Sequence, residues 1–251
     1  VWEEQESPYL PSYHGACWPA DNVLALAAFS SYEKIYPGTY QSFIEKWLKK
    51  IRANEDEWGL IPHAWSCGNG SQGESARGSS SSLILNFLIE IDSSYAGQKF
   101  QIYKELFQEY RLGLPGIREY PKGKSGRGDI DSGPVIWGIG GAASIVGRRV
   151  MQRYGEQDLA LGLRNSIETF GMGRNSETQK SYLFGKLAIA DGFIAWSNSQ
   201  ELSYEQAMKE SKNWRLKAHL YSFICSLFLG FLLYVSLKKT KGPSKQAPSS
   251  R

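Results

Sequence analysis

Cysteine and histidine are scarce in this chain, with three of each among 251 residues. Cys225 falls inside a long apolar run, which leaves Cys17 and Cys67 for the remainder, and His14 and His63 are the histidines outside that run. Two His and two Cys without zinc spacing imply no metal site. The two thiols fit either a disulfide in an exported body or free groups in a cytosolic one. The serine run Ser79–Ser82 lacks the Gly-x-Ser-x-Gly elbow, which argues against a serine hydrolase. No stretch alternates as a half-buried strand does, so the expected class is all-α. The opening VWEEQESPYL is acidic and polar, unlike a signal peptide, and carries no initiator Met.

Charge is unevenly spread. The net +4 arises at one end: residues 203–251 hold nine Lys/Arg against two Glu, whereas 1–202 hold 20 basic and 23 acidic residues. A mildly acidic body lacks the concentrated basic face that nucleic acid requires. The single long hydrophobic run, Ala218–Leu237, has no Lys, Arg, Asp or Glu over its twenty residues. As a helix it is roughly 30 Å long, the thickness of a bilayer core. Tyr221 and Tyr234 lie near its ends, where aromatics favour the interface. Four domains follow: a body over 1–202, a basic juxtamembrane segment over 203–217, a transmembrane helix over 218–237 and a basic tail over 238–251. Four basic residues precede the run and five follow it, a small bias that places the tail in the cytoplasm and the body outside.

Within the body, Asp21, Arg77, Asp131 and Asp191 each sit where a Gly-, Pro- or Ser-containing loop meets an apolar stretch, 56, 54 and 60 residues apart. A period of this size with two helices per unit is the pattern of stacked helical hairpins. The expected helices cover 21–35, a second to about 53, 79–91, 95–110, 133–154, 157–169 and 188–198, with apolar helices alternating with amphipathic ones. Asp21 or Asn22 is the expected cap of the first helix. Gly138, Gly140, Gly141 and Gly147 suggest a fifth helix pressed against its neighbours.

The stretches YHGACWPADN, GESARGSSSSLILNFL and GRGDIDSGPVIWG, on this alternating architecture, resemble the α/α toroids of the six-hairpin glycosidase-like superfamily. The particular likeness is to linalool dehydratase/isomerase-like membrane proteins, over roughly residues 10–200. The resemblance implies a ring of antiparallel hairpins whose loops build a substrate cleft. Seven helices are expected here against the twelve of a complete ring. It also implies Asp, Tyr, His and Cys side chains of the kind those relatives use for proton transfer to an alcohol.

The candidate chemistry lies in three loops. Asp129 and Asp131 flank Ile130, and in an extended segment both face one side. Mutual repulsion then raises one pKa, as glycosidic cleavage needs; the alternative makes Asp131 a cap for a helix begun by Ser132-Gly133-Pro134. Asp21 supplies an opposite wall, with Trp18 as a stacking platform and Tyr13, His14 and Cys17 beside it. In the third loop His63 is a candidate general acid/base, with Trp65 nearby. Arg77 is placed to clamp a carboxylate, of substrate or of Asp131.

The expected protein is therefore a membrane-anchored enzyme acting on a carbohydrate or other polyhydroxylated small molecule. Asp129, Asp131, Asp21 and His63 carry the chemistry, and no cofactor is required. The alternatives are a dehydratase-type lyase or isomerase acting on an apolar alcohol, and a non-catalytic anchored scaffold.

Overall fold

The computed structural model describes residues 2, 6–13, 15–67, 70–129, 131–199 and 204–240, without the side chains of 204–215, 218, 239 and 240. Eight α-helices form it: α1 (Pro19–Ile35), α2 (Gln41–Arg52), α3 (Gly78–Ile91), α4 (Ser93–Phe107), α5 (Gly141–Arg153), α6 (Gln157–Phe170), α7 (Ala188–Asn198) and α8 (Tyr204–Thr240). The first, third, fifth and seventh stand in a row, with α1 on α3, α3 on α5 and α5 on α7. Behind them α2 packs on α1, α4 on α3 and α6 on α5. The alternation of helices in the sequence is thus an alternation in space.

Local chemistry explains the ends. Pro19 opens α1, where its fixed φ and missing N–H cost nothing. Neither Asp21 nor Asn22 caps this helix. Trp18 holds the N-cap position, and the Asn22 amide instead grips Leu10, accepting from its N–H at 2.8 Å and donating to its carbonyl at 3.1 Å. The Asp92 carboxylate caps α4 by accepting the Tyr95 N–H at 2.9 Å. It also pairs with Arg52 at 2.5 Å, tying α4 to the end of α2. On α2, Ile44, Trp47, Leu48 and Ile51 form the buried face, and with Val23, Leu26, Ile84 and Leu88 they make one core cluster. A second cluster, including Leu85, Phe100, Tyr103, Phe107, Val150 and Leu163, joins α3, α4, α5 and α6. Gly147 lets α5 approach closely: a Cβ there would lie 2.7 Å from the Ile117 side chain and 2.8 Å from the Tyr103 hydroxyl.

Two expected helices are shorter than the sequence pattern indicates. After Phe107 the chain becomes an antiparallel ribbon, β3 (Gln108–Arg111) with β4 (Leu114–Ile117). Residues 133–140 do not begin α5; they form the hairpin β5 (Val135–Ile136) and β6 (Ile139–Gly140). Two other ribbons are β1 (Ala64–Trp65) with β2 (Gln72–Glu74), and β7 (Arg174–Asn175) with β8 (Lys180–Ser181). The molecule remains a helical bundle, with hairpins confined to its loops.

Cys17 and Cys67 form a disulfide across 50 residues. It joins the segment before α1 to the loop before α3, and the Trp65 N–H donates to the Cys17 carbonyl alongside it. At the other end, α8 contains the stretch His219–Lys238, long and apolar enough to cross a membrane. The helix is continuous from Tyr204, so the basic segment from 204 onward belongs to the same rod. Replacing Cys17 and Cys67 by serine should lower the unfolding free energy by about 4 kcal/mol, the chain-entropy value for a loop of this length. Urea denaturation of the full chain in detergent micelles measures it; an unchanged midpoint would mean the bond constrains nothing.

Candidate functional site around Arg77

Arg77 sits immediately before α3, in extended backbone, with its side chain 5% exposed. Its guanidinium gathers groups from three loops. Nη1 donates to Asp129 Oδ2 at 2.5 Å, Nε lies 2.9 Å from Glu119 Oε1, and Nη2 donates to Ser132 Oγ at 3.3 Å. Glu74 Oε1 stands 3.8 Å from Nε, and the Tyr120 ring faces the guanidinium at 5.0 Å. His63 Nε2 is 3.4 Å from Nη1, and its ring tilts against Trp18 at 5.0 Å. The Trp18 indole donates to the Tyr13 hydroxyl at 2.7 Å, and Cys17 and Trp65 lie buried alongside.

Each loop is held from below. Asp56 accepts from the Trp58 and Leu60 amides through Oδ1 and from the Ala76 amide through Oδ2, at 2.7 to 2.9 Å. One carboxylate thus fixes both arms of the loop carrying His63 and delivers Arg77. Glu119 follows β4; its N–H donates to the Gly138 carbonyl at 3.0 Å, and its carbonyl accepts from Gly78 at 2.8 Å. Asp129 closes its own turn, its Oδ1 accepting the amides of Asp131 at 3.1 Å and Ser132 at 2.8 Å.

Three of the ionisable neighbours of Arg77 are driven to different protonation states. Burial pushes Glu119 up to about 7, assisted by the Asp129 charge and opposed by the Ser79 hydroxyl and Arg77. Burial also disfavours the charged form of Asp129, but the Ser132 amide and hydroxyl and the Arg77 guanidinium outweigh it and hold that carboxyl far below the usual range. His63 is pushed down to about 4, first by burial and then by the Arg77 charge, so it is neutral at pH 7. Glu119 Oε1 accepts from the Ser79 hydroxyl at 2.7 Å. Its Oε2 is buried without a donor among the described residues and lies 2.8 Å from where a Cβ on Gly140 would stand.

The structure therefore brings together Arg77, Asp129, His63, Trp18, Tyr13, Trp65 and Cys17. It does not add the others. Asp21 is exposed on the first turn of α1 and is not among the groups against Arg77. Asp191 accepts the Tyr182 N–H at 2.7 Å, a structural bond from the first turn of α7 to the segment before it. Asp131 is exposed and caps no helix, since α5 starts ten residues later. The chain turns at 129–133, with the Gly133 N–H donating to the Asp129 carbonyl at 3.0 Å, so the two aspartates do not alternate as in a strand. His14 lies outside the described residues. Arg77 clamps Asp129 rather than Asp131, and of the acids against Arg77 the one with the raised pKa is Glu119, which the loop pattern did not mark.

No family model matches the chain, and no curated protein matches it.

The opposed shifts make a test. Glu119 binds its proton more tightly in the folded chain, so it contributes stability below about pH 4.5 that is lost as pH rises to about 7. His63 does the reverse: its contribution is complete above about pH 6.5 and is lost as pH falls towards 4. Each has a slope of up to about 1.4 kcal/mol per pH unit. Between pH 4.5 and 6.5 they oppose each other, so the native Tm should be nearly flat. Over that window His63→Gln should gain stability as pH falls, and Glu119→Gln should lose it. Identical pH slopes for both variants would refute the assignment.

Proposed function

We propose that this chain is a membrane-anchored α/α-toroid-like enzyme performing acid/base chemistry on a carbohydrate or similarly hydroxylated substrate. The observation that carries the reading is the Glu119–Arg77–Asp129 cluster, in which one guanidinium holds two carboxyl groups whose pKa values are pushed apart. A pair divided in this way supplies one group able to carry a proton near neutrality and one that stays charged. Asp129, whose side chain is 45% exposed, is the group that meets substrate. Glu119 holds the proton behind it; with that proton on Oε1, the half-buried Ser79 hydroxyl 2.7 Å away accepts it and gives its own hydroxyl proton outward. Trp18 and Tyr13 form the aromatic rim. Neutral His63 supports the rim and keeps a second positive charge away from Arg77.

The row of α1, α3, α5 and α7 backed by α2, α4 and α6 supports the toroid-like reading. The His219–Lys238 stretch supports a single-pass anchor. The Cys17–Cys67 disulfide supports a body on the non-cytoplasmic side, because such bonds persist in oxidising compartments. It also removes the Cys17 thiol from the chemistry, which disfavours a thiol-assisted dehydratase or isomerase.

The full chain in nanodiscs, assayed against a panel of oligosaccharides and aryl glycosides, should turn over at least one class. Glu119→Gln and Asp129→Asn should each lower that turnover by about 10²–10⁴-fold, the usual scale for general acid/base groups. Ser79→Ala should reduce the rate with little change in KM, and Asp131→Asn should behave as native. Full turnover by Glu119→Gln, or a Glu119 carboxyl still ionised at pH 5 by ¹³C NMR, would sink the proposal.

A further inference from the structure

Two hairpin tips lie side by side on the body and share an unusual composition. β3–β4 turns through Leu112-Gly113 (φ +51° and +79°), and β5–β6 turns through Trp137-Gly138 (φ +50° and +84°). Positive φ at both central residues is the geometry for which Asn-Gly, Asp-Gly or Gly-Gly is ordinary. Each tip instead places a large apolar residue at the first position, where the left-handed region disfavours it. Turn chemistry does not select Leu112 or Trp137, and such outliers point towards function.

The tips are joined, since Arg111 Nε donates to the Trp137 carbonyl at 3.2 Å. Ile136 and Trp137 are 63% and 64% exposed, and Tyr110 on the neighbouring ribbon is 56% exposed. The first tip also lies against α8. A Cβ on Gly113 would stand 2.9 Å from the Tyr221 ring and 3.9 Å from Lys217 Cβ. Tyr221 is the third residue of the apolar stretch His219–Lys238, and α6 packs on α8 as well. The first tip therefore meets α8 at the level where its apolar stretch begins, and the second is hydrogen-bonded to the first.

We propose that these tips form a membrane-contact surface, with Leu112, Ile136 and Trp137 seated in the interfacial layer of the bilayer beside the first turn of the span. The occupant is a lipid surface because the patch is continuous with the apolar helix, and because Trp and Tyr favour the headgroup level. Lys217, and Arg111 with its charge shared with Glu109 at 2.6 Å, lie where lipid phosphates would be. The inference rests on the anchoring through α8 proposed above and is independent of the acid/base reading.

The test uses the full chain in phosphatidylcholine vesicles whose acyl chains are brominated close to the headgroup. Alkaline carbonate extraction reports the anchor, and bromine quenching of tryptophan emission reports the tips. The chain should stay with the vesicles, and Trp137→Leu should reduce the quenchable emission by about one residue's share of the eight tryptophans. Trp137→Phe serves as a second variant that keeps an aromatic at the turn and should give the same reduction. A retained chain whose quenching neither substitution changes overturns the contact surface and leaves the anchor standing. Release of the chain by carbonate overturns both.

Discussion

The ion pairs of Arg77 organise everything around them. A guanidinium this deeply buried is tolerable only when its charge is compensated; the ionised Asp129 carboxylate supplies the charge and the Glu119 carboxyl oxygen faces Nε, 52 and 42 residues along the chain. To satisfy it, the loop before α3, the segment after β4 and the turn at 129–133 must all come to one place. The local architecture follows from that demand: Asp56 binds the first loop at both ends, Gly138 receives the Glu119 amide, and Asp129 folds its own turn. Removing Arg77 or Asp129 leaves the other's charge stranded in a low-dielectric setting, where it is most costly.

The same arrangement separates the protonation behaviour of its members. Glu119 is wholly enclosed, so desolvation dominates its pKa, whereas half-exposed Asp129 receives enough hydrogen bonds to remain ionised. His63, with burial and a cation against it, stays neutral although the Asp129 charge favours its protonation. Three side chains within reach of one guanidinium thus hold different protonation states at neutral pH because their access to water and to donors differs.

Much of the helical order was legible in the sequence, because apolar spacing reports which face a helix buries. The bounds of α1, α2, α3, α6 and α7 follow that spacing to within about two residues, the usual fraying. The exceptions have local causes. The run from 133 to 140 is apolar and glycine-rich, which suits an inner helix by composition, but Trp137 and Gly138 take left-handed φ and reverse the chain. The α4 pattern runs past Phe107 because Gln108–Arg111 is too short a ribbon to show alternation. At the site, Arg77, His63, Trp18 and Asp129 were legible as polar or aromatic groups beside Gly, Pro and Ser. Glu119 was not, since no turn residue flanks it. The available signal was the Arg118-Glu119 charge pair directly after the fully buried Leu114–Ile117. Asp21 and Asp131 show the opposite error: a carboxylate at a loop–helix boundary carries no information about which way its side chain turns.

The helix α8 runs from Tyr204 to Thr240 without proline and with Gly230 as its one glycine. Such a rod has no internal joint between Tyr204 and Thr240. Once embedded, it keeps two freedoms, drift within the plane of the bilayer and spin about its normal, and the body it carries travels with it. Encounters with anything held in the same sheet of lipid then become a two-dimensional search, in which surface density sets the meeting rate.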